Sequence, residues 1–285
     1  MVIKLSSIIR QANSEDQKNL ANLIHFGTLV HRHLDWRPPL EWIGHTPFLV
    51  LEDNKRLVAA LACPPDPTSV VWIRLFVAYD TEHLKNAWSQ LWPSALELLP
   101  NDPELSIAAI PLQNWFQKLI TSSNFEQTTN VVMLIWDSGE IPEEHPRPGI
   151  SIRPMTLDDL PQVELLDKSS FGHLWHNSRS SLEYAFNQAA IATIAEIEGK
   201  IVGYQISTAM QMGGHLARLA THPDYQRQGI GCSILRDLLI QFKQRGAVRI
   251  TVNTQEDNLA SIALYEKAGF VPTGESYPVY QYLSK

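Results

Sequence analysis

Apolar positions in this chain recur with two periods, and the change from one to the other marks the elements. Residues 48–61, FLVLEDNKRLVAAL, and 193–206, TIAEIEGKIVGYQI, are apolar runs broken by a short polar turn. Each predicts a β-hairpin, with Asp53-Asn54 and Glu198-Gly199 as the turns. Leu216 to Thr221 reads as an apolar strand that leaves through His222-Pro223-Asp224. From Cys232 onward the period becomes helical: Ile234, Leu235, Leu238, Leu239 and Phe242 share one face, and Gly246 after Lys243 and Arg245 ends the helix. A strand over Val248 to Asn253 and a helix over Leu259 to Ala268, opened by Asn258, follow.

The two halves of the chain repeat one another. Ile9-Arg10 followed by Glu15-Asp16 matches Ile152-Arg153 followed by Asp158-Asp159 at an offset of 143 residues. Leu57-Val58 matches Ile201-Val202 at 144, Arg74-Leu75 matches Arg218-Leu219 at 144, and Phe125 matches Phe270 at 145. Between the copies lies DSGEIPEEHPRPG, Asp137 to Gly149, whose prolines, glycines and acids break both periods. The expectation is two α/β domains, 1–136 and 150–285, joined by a linker at 137–149. Each is a mixed sheet covered by helices.

The second copy carries the chemistry. Gln226-Arg227-Gln228-Gly229-Ile230-Gly231 stands between the strand and the helix, so its glycines fall at a helix N-terminus. The first amides of a helix lack internal partners and sit at the positive end of its dipole, a ready site for phosphate. Glycine lets the backbone come close. Gly229 and Gly231 also fit an ordinary strand-to-helix turn; the surrounding pattern decides. A dinucleotide fingerprint needs GxGxxG and a P-loop needs Gly-Lys-Ser/Thr, whereas this chain continues Gly-Ile-Gly-Cys-Ser.

Gln-x-x-Gly-x-Gly after a strand ending in His-Pro-Asp-Tyr resembles the acetyl-CoA signature of the GCN5-related N-acetyltransferase (GNAT) superfamily. A second element of that family follows at Asn258, Ser261, Leu264, Tyr265, Glu266, Lys267, Ala268, Gly269 and Phe270. The likeness spans Ser151 to about Leu283 and is similar to the ribosomal-protein alanine acetyltransferase branch in Arg153-Pro154, Phe171, Trp175 and the Leu-Tyr-Glu-Lys helix. The first half is reached only through the internal repeat. The resemblance implies two tandem GNAT-like domains, each a mostly antiparallel mixed sheet flanked by helices.

It also implies acetyl-CoA as cosubstrate, its pantetheine arm paired to the backbone of Leu219, Ala220 and Thr221. The pyrophosphate would rest on amides from Arg227 through Gln228, Gly229, Ile230 and Gly231 to Cys232, with Gln226 opening the motif. Asn258 would cap its helix and contact the cofactor arm. An amine then attacks the thioester directly, and Tyr265 would protonate the leaving thiolate. Tyr265 also fits as a buried aromatic of a short helix. Where the alanine acetyltransferase branch has a glutamate, this chain has Asn253, which leaves Glu196, His215, Glu256 or Asp257, or a water chain to one of them, as the base. The acceptor region corresponds to Ser169 to Ser181, with Phe171, Trp175 and His176 as pocket candidates. A binding module that senses acyl-CoA without turnover is the alternative.

At the 144-residue offset, Gln226, Gly229 and Gly231 become Glu82, Lys85 and Ala87, and at 145 Tyr265 becomes Ile120. The first copy is therefore expected to be degenerate and without cofactor. His31 and His33, spaced i, i+2, would not share a helix face, so no metal site is expected. Composition adds limits. With 23 Lys plus Arg against 30 Asp plus Glu, the net charge of -7 speaks against a broad grip on nucleic acid. Two cysteines, Cys63 and Cys232, make no disulfide framework. No stretch approaches the ~20 apolar residues of a membrane span, so the cytoplasm is the expected location.

Overall fold

A computed structural model describes residues 7–137, 139–141 and 149–283. Of the expected linker, position 138 and positions 142–148 lie outside the described residues. The chain packs as two compact units, one running to Thr128 and regaining the chain from Val279 onward, the other Thr129–Pro278.

The first unit comprises β1 (Ile8–Gln11), α1 (Gln17–Phe26), β2 (Leu29–Arg32), β3 (Phe48–Asp53), β4 (Arg56–Ala62), β5 (Val70–Trp72), β6 (Leu75–Ala78), α2 (Thr81–Leu98), β7 (Ser106–Ala109), α3 (Asn114–Thr121) and the start of β8 (Phe125–Asp137). Strands order as β1-β3-β4-β6-β2, while β5 runs parallel to β7. The second unit comprises β9 (Ile150–Pro154), α4 (Leu160–Ser170), α5 (Arg179–Asn187), β10 (Ile191–Ile197), β11 (Lys200–Met210), β12 (Gly213–Thr221), α6 (Ile230–Gln244), β13 (Arg249–Gln255), α7 (Leu259–Lys267) and most of β14 (Val271–Tyr282). Its strands order as β9-β10-β11-β12-β13-β8, antiparallel except for β12 and β13.

The units divide elsewhere than at 136 and 150 because two long strands each serve both. Residues 131–137 of β8 pair with β13 inside the second unit. Tyr280 and Gln281 of β14 pair with β7 inside the first. No break in hydrophobic period marks these crossings, so the proline-rich segment drew the boundary instead.

The internal repeat is visible atom by atom. Arg10 grips Asp16 with bonds of 2.6 and 2.7 Å and also holds Glu52. Arg153 grips Asp159 with two bonds of 2.8 Å and Glu196 with a third of 2.8 Å. In each copy the aspartate also accepts an amide that opens the first helix, from Asn13 or Thr156. The first hairpin turns at Asn54-Lys55, both at positive φ, one residue later than expected, because Asp53 stays in the ladder opposite Arg56. The second turns at Glu198-Gly199 as expected.

Helix α6 buries Leu235, Leu238, Leu239 and Phe242 against Ile250, Val252 and Trp136. This fixes the helix across β12 and β13, with its N-terminus at the end of β12.

Candidate functional site

The segment from β12 to α6 is shaped for close backbone approach. After a single helical turn at Pro223–Tyr225, Gln226 is extended, Arg227 takes φ +57° and Gly229 φ +85° as the N-cap of α6. Gly229 brings no side chain to cap the helix, so the first amides meet no side chain from that position. Gly231 sits in a close-packed spot: a Cβ there would lie 3.3 Å from the tip of Leu264 and 3.5 Å from Thr221 Oγ1. The Gln226 side chain donates through Nε2 to the Thr221 carbonyl at 3.3 Å and that of Gln228 to the Asp224 carbonyl at 3.1 Å, so both help hold the loop itself.

Beside this cradle the sheet opens. Parallel pairing of β12 with β13 stops at Leu216 opposite Val252, and beyond it Leu219, Ala220 and Thr221 pair only with β11 among the described residues. Ala217 is the extra residue of a bulge, since Ile206 faces Arg218 while Ser207 faces Leu216. The bulge turns Arg218 and Ala220 to the face that carries α4, and Leu219 and Thr221 to the face that carries α6.

A buried ion pair that sequence reading missed ties the α4 face together. Arg218 donates to both oxygens of Asp167, at 2.7 and 2.9 Å, and to the Trp175 carbonyl at 2.7 Å. Tyr204 donates its hydroxyl to the same carboxylate, and the Asn177 amide donates at 2.6 Å. Asp167 and Tyr204 are fully buried. The Arg218 guanidinium also lies 3.6 Å from the centre of the Phe171 ring. Phe171 and Trp175, singled out as acceptor candidates, are thus anchored to the strand beside the opening. His176 bonds the His173 carbonyl at 2.8 Å instead. The repeat held the signal: Arg74, the copy of Arg218, pairs with Asp35 at 2.8 Å.

Tyr265 is 5% exposed, packs against Phe270 and belongs to the α6 core; burial raises its phenol above the ordinary value. Its neighbour Leu264 is the side chain that reaches Gly231. Asn258 caps α7, accepting the Ser261 amide at 3.1 Å. Of the candidate bases, Glu196 on β10 is engaged by Arg153 of β9, Glu256 accepts from Asn130 at 2.8 Å, and Asp257 is exposed at the head of α7. His215 lies on β12, its Nδ1 2.8 Å from Thr251 Oγ1. Among the described residues no group of three or more His, Cys, Asp and Glu is placed to hold a metal, and no helix is long and apolar enough to cross a membrane.

Residues 160–270 match the sequence pattern of the acetyltransferase (GNAT) family. The second unit is GNAT-like in sequence over that span. The GNAT unit is 29% identical over 122 residues to the ribosomal protein bS18 alanine N-acetyltransferase of Escherichia coli K12, covering 42% of this chain and 80% of that relative. The whole chain shares its fold with a tandem GNAT protein from the clavulanic acid biosynthesis pathway, at a TM-score of 0.61 and 15% identity over 98% of both chains. A GCN5-related N-acetyltransferase from Sphaerobacter thermophilus aligns over 96% of this chain and 95% of its own, with a TM-score of 0.61 and 14% identity. The fold is therefore that of two GNAT-like units in tandem.

The first unit differs from the GNAT unit at both features just described. Its counterpart of α6, helix α2, is capped by the Asp80 carboxylate, which accepts the His83 amide at 3.0 Å. An acid already sits at that positive end. Glu82 and Lys85 are exposed, and Ala87 and Ile120 are fully buried. The edge corresponding to Leu219–Thr221, residues 75–77, is covered by β2, which pairs Leu29 with Ala78, Val30 with Val77, His31 with Phe76 and Arg32 with Leu75. The histidines expected on a helix stand on and after this strand.

Proposed function

We propose that the chain transfers an acetyl group from acetyl-CoA to a primary amine, of a protein N-terminus or a small metabolite, by direct attack on the thioester. The observation that carries this reading is the pairing of a helix start at Gly229 that has no side-chain cap with an edge at Leu219 to Thr221 that, among the described residues, β13 leaves uncovered. Backbone amides from Arg227 to Cys232 suit a pyrophosphate, and the open edge suits an extended amide-bearing arm. The likeness to an alanine acetyltransferase supports an amine acceptor.

Acetyl-CoA supplies the activated acyl group; the residues' part is to hold it, shield it and move protons. Strand amides at the bulge can stabilise the oxyanion. Tyr265, whose burial keeps its proton on, can donate to the departing thiolate. The first unit, with its helix end capped and its edge covered, contributes no second cofactor site in this reading.

Free thiol released from acetyl-CoA, followed against a panel of amines and N-terminal peptides, tests the proposal together with calorimetric titration. One acetyl-CoA should bind per chain, at least one amine should accelerate thiol release, and Gly229→Glu should abolish binding in a folded protein. Two molecules bound per chain, or undiminished affinity in Gly229→Glu, would refute the site. Binding of acetyl-CoA without transfer to any amine would favour a sensor, the reading that Asn253 in place of a carboxylate supports.

A further inference from the structure

Two polar side chains flank the opening between β12 and β13 on the face away from α6. His215 stands one residue before the last parallel rung, Leu216 opposite Val252, and Asn253 one residue after it. Their direction follows from the register. A Cβ on Gly214 would strike Phe242 of α6 at 2.4 Å, and Leu216 packs in the same core, so the residue between them points the other way. Ile250 and Val252 likewise lie on α6, which leaves Thr251 and Asn253 on the opposite face. That face holds Arg218, Asp167 and the anchored Phe171 and Trp175. The cradle glycines and Leu219 lie on the far side.

On the proposed function, a thioester reaching from the cradle through the opening arrives between these two residues, and the amine meets it from the α4 face. The imidazole is set up for one task there. Nδ1 lies 2.8 Å from Thr251 Oγ1, and in the tautomer whose Nδ1–H donates to that hydroxyl, Nε2 keeps its lone pair. Burial lowers the His215 pKa below 6.5, so the ring is neutral at pH 7. The ionisable groups on the same face are engaged with one another: Arg218 with Asp167, and Tyr204 with that carboxylate. Asn253 is the complement, because its Oδ1 is buried and has no hydrogen-bond donor. An acceptor atom left unmet in this way is destabilising, and a bound N–H would satisfy it.

We propose that His215 Nε2 is the general base of acetyl transfer and that Asn253 Oδ1 receives a hydrogen bond from the attacking amine. The amine nitrogen forms its bond to the acyl carbon, and its proton passes to Nε2. The carbon–sulfur bond then breaks, the sulfur keeps the electron pair and takes a proton from Tyr265, and solvent removes one proton from His215 and returns one to Tyr265. The products are the acetamide and CoA thiol. Thr251 is a positioning residue that holds the ring at Nδ1. The sequence showed Asn253 only as a missing glutamate; here it is a binding group, and the proton moves across the opening to the neighbouring strand.

The test rests on the proposed function and uses the full chain with an amine from the panel, at saturating acetyl-CoA, between pH 6 and 10. His215→Ala should lower kcat at pH 7 by on the order of 10²–10⁴-fold. Its acetyl-CoA affinity should stay within a few-fold, since the cradle and the strand edge, not the imidazole, hold the pyrophosphate and the arm in the proposed function. The deficit should shrink as pH nears the pKa of the amine, and added imidazole should restore part of the rate. Asn253→Ala should raise KM for the amine more than it lowers kcat, and Thr251→Val should fall between parent and His215→Ala. His215→Gln, checked by thermal melting, replaces the alanine variant if that one does not fold. A parent that transfers to no amine overturns the enzymatic reading and this assignment with it. An active parent whose His215 variants match it at pH 7, or fall short equally at every pH, overturns the base alone.

Discussion

Tyr265 shows how one residue can satisfy two demands at once. Its ring belongs to the core with Phe270, and its phenol is held protonated by the same burial. Tyr265→Phe keeps the ring volume and should leave acetyl-CoA affinity within a few-fold of the parent. A positioned acid contributes on the order of 10²–10⁴-fold, so single-turnover transfer should slow by that factor. Parental speed in the variant would hand the proton to water and leave Tyr265 a core aromatic. Single residues were legible in the sequence where they belonged to a spaced pattern, as at Gly229, Gly231, Asn258 and Tyr265. Arg218, Asp167 and Tyr204 were not, since their meeting depends on which faces a bulge presents, and a bulge leaves no mark in hydrophobic period.

At the scale of elements, the hairpins, α6 and α7 were readable because their period is strong and their ends carry turn or cap residues. Strand β2 was not; its four residues follow α1 closely and contain a histidine and an arginine. His31 on that strand is fully buried, stacked on Phe116 with ring centres 3.8 Å apart and bonded to the Ile73 carbonyl at 3.1 Å. Burial lowers its pKa from 6.5 to about 3. A histidine depressed in the fold binds its proton more readily once unfolded, so its contribution is complete above pH 6.5 and is lost as pH falls toward 3. The slope is at most about 1.4 kcal/mol per pH unit, or about 2 kcal/mol between pH 7 and 5. Denaturant unfolding at both pH values should therefore show His31→Phe less stable at pH 7 but losing about 2 kcal/mol less on acidification. An equal loss in parent and variant would assign the acid sensitivity elsewhere, for example to His33.

For the whole molecule, the repeat was legible through paired motifs, while the exchange of strand ends was not, because pairing partners far apart in the chain leave no local sign. A break at 136 or 150 nevertheless cuts through both cores. Residues 1–136 alone lack Tyr280, whose hydroxyl meets Gln117 at 2.7 Å, and Tyr282, which packs edge-on against Trp92. Residues 150–285 alone lack Leu134 and Trp136, 1% and 0% exposed beneath α6 and α7. Each fragment made separately should be insoluble or lack a cooperative melt, and the two made together should recover solubility and acetyl-CoA binding. Well-folded separate fragments would show that the crossing strands are dispensable. The crossing also sets an order of events during synthesis. The edge of β7 waits for Tyr280 and Gln281 until the roughly 150 residues of the GNAT unit have been added, about 8–30 s at 5–20 residues per second. For that interval the nascent first unit shows an unpaired strand edge, the surface that ribosome-associated chaperones exist to cover and that neighbouring nascent chains on a polysome can pair with. Slowing translation within the second half should therefore lower soluble yield even though every residue of the finished protein is unchanged.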